Sequence, residues 1–287
     1  MLSRVTTEID SRRLLPADWH FNAAIFERDH QFHLCYRLQS FDHELQKDGI
    51  SRLAIASLDD ELQPIRNHLL ETPTGNDEDP RVIVGRTTYL AYNHNYTQHL
   101  TVLDEGLQIK DVITPQYAGR KTIEKNWMWF QQGDDLFCIY SIVPRWIVLK
   151  WNTKFEAEEI VNEEVRFDWP WGELRGGTSP IQTSPTEMHM FMHSVFDPPG
   201  SKKHLYVAGY IGIDARTFMP TSIGRYPCMV PDPTEPRVGS KVVFPCGAVK
   251  VEDDWLISYG HHDTTIRIDR LKNEELLHDM HIRPVSG

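Results

Sequence analysis

Phe21-Asn22-Ala23-Ala24-Ile25-Phe26, Glu27-Arg28-Asp29-His30, Phe32-His33-Leu34-Cys35-Tyr36-Arg37: an apolar run, a tight polar turn, and a second run rich in aromatic and β-branched residues. Two such runs joined by turn residues read as an antiparallel pair of strands. A third, Ser51-Arg52-Leu53-Ala54-Ile55-Ala56-Ser57-Leu58, ends in the acidic turn Asp59-Asp60. The same order returns at residues 81–84, 88–93 and 99–103, then at 127–130, 136–140 and 146–151. It returns again at 179–182, 188–193 and 204–213, and at 242–250, 255–260 and 264–269. Five copies roughly 50 to 70 residues apart, each with three or four strand signals, predict an all-β chain and favour a five-bladed β-propeller over a sandwich or barrel. Helical periodicity is brief, and its best candidate is Asn273-Glu274-Glu275-Leu276-Leu277. The expected organisation is one propeller domain over residues 1–287 with a short N-terminal extension and a C-terminal tail.

The 287 residues suffice for a sizeable core. A formal net charge of -11 argues against nucleic acid or an anionic membrane as partner, because nothing offsets phosphate repulsion. The longest basic cluster is Ser201-Lys202-Lys203-His204. No signal-peptide apolar region opens the chain and no apolar stretch reaches membrane-span length, so a cytoplasmic protein is expected. Cys35, Cys138, Cys228 and Cys246 form no Cys-x-x-Cys pair and read as buried free thiols of a reducing compartment.

Asn76-Asp77-Glu78-Asp79-Pro80-Arg81, set against the apolar Val82-Ile83-Val84, is the stretch with the strongest chemical character. Asp79 is the candidate acid. Pro80 is expected to bias its backbone toward extended geometry, and Arg81 to lower its pKa or hold an anionic ligand. In a propeller the first strand of each blade lines the central channel, so equivalent positions converge on one pocket. That places Asn22, Asp79 with Arg81, Lys125-Asn126-Trp127, Thr178-Ser179 with His193, and Tyr259 with His261-His262-Asp263 around the channel.

Cleaving a glycosidic bond requires a proton donor for the leaving oxygen and an attacking group on the opposite face of the sugar. Asp79 supplies the donor. Trp127, Trp129 and Tyr259 either stack on sugar faces or pack the core. His193, ending an apolar strand, is either a structural hydrogen-bonding group or a ligand contact. His261 and His262 with Asp263 invite a metal, yet neighbouring strand residues face opposite sides, so no metal site is expected. Cations available to an inorganic anion are Arg37, Arg81, Arg120, Lys121, Lys125, Arg145 and Arg175.

Taken together these motifs resemble glycoside hydrolase family 130, the inverting β-mannoside phosphorylases and related hydrolases. Phe21-Asn22-Ala23 with Tyr36-Arg37 resembles the first-blade signature, and Glu78-Asp79-Pro80-Arg81 the block that carries the general acid. Lys125-Asn126 with Phe130, Gly177 with Pro180-Ile181, His193, and residues 242–247 with Tyr259-Gly260 and Asp263 resemble later blocks in order. The resemblance implies a metal-free mechanism with no organic cofactor. Asp79 would be the acid, acting through a sugar hydroxyl, with inorganic phosphate as co-substrate. Arg37, His193, Arg175 and, more loosely, Arg145 would hold the phosphate. Asn22, Arg81, Lys125, Asn126, Trp127, Tyr259 and Asp263 would contact the sugar.

Two departures bear on the nucleophile. Glu173-Leu174-Arg175 stands where the family's phosphorylases place a lysine, and Met192-His193-Ser194 replaces the usual tyrosine-histidine-glycine run. A glutamate there would repel phosphate and could activate water instead. The expected function is therefore inverting cleavage of a β-mannoside or related glycoside by phosphorolysis, with hydrolysis and a non-catalytic sugar-binding propeller as the alternatives. The substrate partner is an oligosaccharide or other glycoside, and a homo-oligomer that shares its site with a neighbour is one arrangement open to such a fold.

Overall fold

The computed structural model describes residues 3–42, 44, 47–73, 75–197, 204–232, 241–282 and 285–286. Its strands form five antiparallel sheets arranged as a five-bladed β-propeller. Blade one is Trp19–Arg28, Gln31–Asp42, Lys47–Leu58 and Pro64–Leu69. Blade two is Asp77–Ile83, Thr88–His94, Thr97–Leu103 and Ile109–Ile113. Blade three is Met128–Gln132, Asp135–Ser141, Arg145–Trp151 and Ala157–Arg166. Blade four carries two short inner strands, Glu173–Arg175 and Ile181–Ser184, then Glu187–Phe196, Leu205–Asp214 and Pro220–Gly224. Blade five is Val243–Val251, Asp254–His261 and Thr265–Lys272.

The fourth strand of blade five is Arg4–Glu8, paired antiparallel with Thr265–Lys272. The stretch expected as an N-terminal extension therefore closes the ring, tying the first strand of the chain to the last blade. Past the short helix Asn273–His278, Met280–Ile282 pairs with the outer strand of blade four and Val285–Ser286 with that of blade three. The channel-mouth loop Asp197-Pro198-Pro199-Gly200, beyond its first residue, and the basic Ser201-Lys202-Lys203 lie outside the described residues.

Five of the apolar clusters each join two neighbouring blades. Ile25 and Leu34 of blade one pack with Leu256 and Ile268 of blade five, whereas Cys35 and Ile55 of blade one pack with Leu90 and Tyr92 of blade two. Ile83 and Leu100 meet Trp129 and Trp151, Phe130 and Trp146 meet Met190 and Ile211, and Phe191 and Tyr210 meet Trp255 and Ile257. Both faces of a blade are buried, which is why the strands read as continuous apolar runs rather than as clean alternation. All four cysteines are free and buried, and burial drives the thiols of Cys35, Cys138, Cys228 and Cys246 upward, away from thiolate.

Candidate active site at the channel mouth

The inner strands of blades one and two carry the same irregularity. In blade one the register passes from Phe21↔Arg37 to Ala24↔Cys35, and in blade two from Glu78↔Asn93 to Arg81↔Ala91. Two inner residues thus oppose one partner, a β-bulge. Asn22 and Asp79 hold the first bulge position in their blades, with φ of 47° and 53°. Asn126, just ahead of the inner strand of blade three, has φ of 62°. Asparagine and aspartate are the non-glycine residues that enter this region most readily. Pro80 sits in the bulge, where no ladder hydrogen bond is asked of it. The extended geometry expected for Asp79 is thus corrected: the bulge overrides the bias of the following proline.

That shared geometry brings side chains from successive blades together. Asn22 Nδ2 donates to Asp79 Oδ1 at 2.7 Å. Behind this pair, Gly260 of blade five has no room for a side chain, since an added Cβ would lie 1.9 Å from Asn22 Oδ1. Arg81 is buried; it donates from Nε to the Gly177 carbonyl at 2.5 Å, from Nη1 to the Asp79 carbonyl at 2.9 Å and from Nη2 to Asn126 Oδ1 at 3.5 Å. It acts as a strut joining blades two, three and four. Gly176 permits that approach, because a Cβ there would meet the Asn126 carbonyl oxygen at 2.1 Å.

Above the strut stands a half-buried charged group. Glu78 accepts from Arg37 Nη2 at 3.1 Å through Oε1 and from Lys125 Nζ at 2.8 Å through Oε2. Arg37 is further fixed by Nε donating to Ser51 Oγ at 2.6 Å and by its guanidinium lying 4.5 Å from the Phe21 ring centre. Lys125 Nζ also lies 5.1 Å from the ring centre of Tyr96, an exposed residue at the tip of the neighbouring hairpin. On blade four, Arg175 and His193 are cross-strand partners and so share a face. Arg175 donates to Glu173 Oε2 at 2.6 Å through Nη2.

His193 Nδ1 donates to the Gly176 carbonyl at 2.7 Å, leaving Nε2 as an acceptor. Burial pushes this imidazole down to about 3, the Gly176 carbonyl acting in the opposite sense and Arg81 and Arg175 adding to the fall. His193 is therefore neutral near neutral pH and offers a lone pair rather than positive charge. Its ring packs 4.6 Å from that of Phe244, which also faces Arg81 at 5.8 Å. Asp263 is exposed at the turn between the second and third strands of blade five, with φ of 54°.

Four residues expected at the site lie elsewhere. Trp127 is buried in the cluster between blades two and three, its indole Nε1 donating to Glu124 Oε2 at 2.7 Å and its ring stacked on Trp151 at 5.8 Å. Trp129 lies in the same cluster. Tyr259 is buried between blades four and five, with its hydroxyl 3.2 Å from Asp269 Oδ1. No ring face of these residues reaches the channel, because both faces of a blade are core. Arg145 stands at the start of the third strand of blade three, where its guanidinium is held by the Asn162 side chain and carbonyl at 2.5 Å each. It is two strands out from the axis. His261 and His262 also depart from strand alternation: their ring centres are 3.9 Å apart, because the chain turns at His262 with φ of 58°. His262 Nδ1 accepts from the Val242 N–H at 3.0 Å and His261 Nε2 from Arg267 at 2.9 Å.

The structure adds Glu78, Ser51, Phe244 and Tyr96 to the neighbourhood of Asp79. Glu78 had a signal in its place next to the acid. Ser51 and Phe244 lay in segments that the repeat and the resemblance marked, but neither was assigned to the site, and Tyr96 had no signal, since spacing does not reveal which blades' tips meet.

The family model described as beta-1,4-mannooligosaccharide phosphorylase, glycoside hydrolase family 130, matches residues 19–281. No curated protein matches the chain. Among solved structures, the chain is similar to a beta-1,2-mannobiose phosphorylase from Listeria innocua, at 16% identity over 91% of each chain and a TM-score of 0.67. It is similar to a mannose phosphorylase from Leishmania mexicana in complex with phosphate ion, at 14% identity over 95% of this chain and 90% of that one, with a TM-score of 0.63. A third similar structure is described with glycoside hydrolases of the family that target beta-1,2 mannosidic linkages in Candida mannan, at 17% identity, 88% and 84% coverage and a TM-score of 0.59. At these identities the likeness speaks to the fold.

Proposed function

The chain belongs to glycoside hydrolase family 130, a family of glycoside phosphorylases and hydrolases, and on that premise we propose that it cleaves a β-mannoside or related glycoside by phosphorolysis with inversion. The observation that carries this reading is the Asp79 carboxylate, held by Asn22 at 2.7 Å, next in the chain to Glu78, which is bound by the cations Arg37 and Lys125. Asp79 gives its proton, through a sugar hydroxyl, to the glycosidic oxygen as the bond from that oxygen to the anomeric carbon breaks. A phosphate oxygen attacks the anomeric carbon from the opposite face, and a sugar 1-phosphate of inverted configuration leaves. Arg37, Arg175 and Lys125 supply charge for the phosphate, while neutral His193 accepts a hydrogen bond from a protonated phosphate oxygen or a sugar hydroxyl. Asn22, Asn126 and Asp263 meet the sugar. Inorganic phosphate is the co-substrate, and the reading needs neither metal nor organic cofactor.

Hydrolysis is the second reading, favoured by one observation: Glu173, largely exposed, pairs with Arg175 at 2.6 Å, and such a carboxylate would repel phosphate and could activate water instead. Among the described residues no helix is long and apolar enough to cross a membrane. Four buried free thiols support a cytoplasmic location, and assembly with further copies of the chain belongs to the same proposal.

The test is cleavage of a panel of β-mannosides with and without inorganic phosphate, following free sugar and sugar 1-phosphate, together with Asp79→Asn. Phosphate-dependent sugar 1-phosphate upholds phosphorolysis, and phosphate-independent release of sugar upholds hydrolysis. Asp79→Asn is expected to lose at least about a thousandfold in kcat, as for removal of an essential acid, while keeping ligand affinity. An unchanged rate would remove Asp79 from the mechanism, and binding without turnover by the wild type would favour a non-catalytic sugar binder.

A further inference from the structure

The geometry points to Glu78 as the resident counter-ion of the anion site, a carboxylate that an incoming phosphate must displace from Lys125 and compete with for Arg37. This rests on the phosphorolytic reading and specifies how that site would be gated. Glu78 reaches cations on both neighbouring blades at once, 3.1 Å to Arg37 Nη2 and 2.8 Å to Lys125 Nζ. Each of its oxygens is used by a different cation, so the carboxylate spans the gap between blade one and blade three. All three side chains are partly buried, at 13% exposure for Arg37, 25% for Glu78 and 31% for Lys125. Their interactions are accordingly less screened than those of surface pairs.

Glu78 is also fixed in place. It immediately precedes the bulge at Asp79, and its backbone is paired with Asn93. Arg37 is held by Ser51 Oγ and by the Phe21 ring, and cannot follow an anion far from where it stands. Among the described residues Lys125 meets the Tyr96 ring and Glu78, and its flexible stem lets it swing. The order of events follows from those restraints. Lys125 releases Glu78 first and turns to the phosphate, while Arg37 shares its remaining donors between Glu78 and the anion. A Glu78 carboxylate that has lost Lys125 and only shares Arg37 then faces the bound phosphate, which weakens phosphate binding and favours its departure with the product.

Glu78→Gln removes the charge and keeps the shape. Binding of inorganic phosphate to the wild-type chain and to Glu78→Gln, read by titration calorimetry, is expected to be at least about tenfold tighter in the variant, equivalent to about 1.4 kcal/mol. The gain should shrink as salt is added. Equal or weaker phosphate binding by the folded variant overturns the inference, as does absence of binding to both proteins. A structural lesion would not tighten anion binding, so the gain is specific. Should the variant fail to fold, the wild type crystallised with phosphate decides. Lys125 Nζ off Glu78 and on the anion upholds the inference, and both cations still on Glu78 with phosphate bound overturns it. The two readings fail separately. Turnover indifferent to phosphate sinks phosphorolysis while a gain in Glu78→Gln still upholds the counter-ion, and phosphate-dependent turnover without a gain sinks the counter-ion alone.

Discussion

Replacing Gly260 with alanine is expected to injure catalysis from a position that touches no substrate. The new methyl carbon would lie 1.9 Å from Asn22 Oδ1 and 2.8 Å from Asn22 N, so the Asn22 side chain must rotate and the backbone beneath it must shift. Rotation breaks the 2.7 Å hydrogen bond to Asp79 Oδ1. A hydrogen bond to a charged group contributes about 1.5–3 kcal/mol, which as lost transition-state stabilisation is about a 10- to 150-fold fall in kcat. The backbone contact adds an overpacking cost of about 1–3 kcal/mol to the folded state, or about 2–10 °C in Tm for a chain of this size. Steady-state kinetics on the best β-mannoside, run beside thermal denaturation, measures both. Gly212→Ala is the control: its added carbon would meet the Ser222 hydroxyl at 2.5 Å in blade four, among outer strands. It should lower Tm and leave kcat alone. A folded Gly260→Ala enzyme with wild-type kcat would refute the claim that Asn22 orients the acid.

Two further outcomes follow from burial. His193 has a folded pKa depressed from 6.5 to about 3, so between those values the unfolded chain takes up a proton that the folded chain refuses. Its contribution to stability is full above pH 6.5 and is lost as pH falls toward 3. Chemical denaturation at stepped pH should show falling stability on acidification. His193→Gln is expected to reduce the slope by up to about 1.4 kcal/mol per pH unit, and an unaltered slope would contradict the assignment. His20, His33, His99 and His189 are lowered in the same direction, each mainly by burial, so part of the slope should remain. Trp127→Phe strands Glu124 Oε2 without its indole donor and is expected to cost about 1–3 kcal/mol of stability while leaving the KM for sugar unchanged. A raised KM at unchanged stability would restore Trp127 to the sugar site.

Much of the strand pattern was readable because it is local. An apolar run such as Ala23-Ala24-Ile25-Phe26 is needed wherever both faces of a blade are buried, and Asp29 and His30, at φ of 52° and 59°, form the tight turn that ends it. The outer strands were harder to see. Ala157–Arg166 is mostly exposed and its sequence alternates weakly, so neither an apolar run nor a clean period marks it. Arg4–Glu8 is exposed along most of its length, and its place in blade five depends on a partner more than 250 residues away, which no local pattern records.

Asp79 could be picked out from sequence because an acid beside proline and arginine at the head of an apolar strand is a local feature, and Asn22 because the repeat gave it an equivalent position. The direction of side chains was settled only by tertiary structure. Trp127 follows Asn126 in the chain, yet the positive φ at Asn126 sends the one toward the channel and leaves the other in the core between blades. Arg145 and Arg37 are both arginines on a strand, and only the distance from the axis separates an outer-strand cation held by Asn162 from one that meets Glu78. What the sequence determined alone was the blade, since strand, turn and burial on two faces are encoded within a few tens of residues. The meeting of Glu78 with Arg37 and Lys125, and of Asn22 with Asp79, was decided by ring closure. Those contacts span 41, 47 and 57 residues, and they exist only when the packing of neighbouring blades brings the bulged inner strands around one axis.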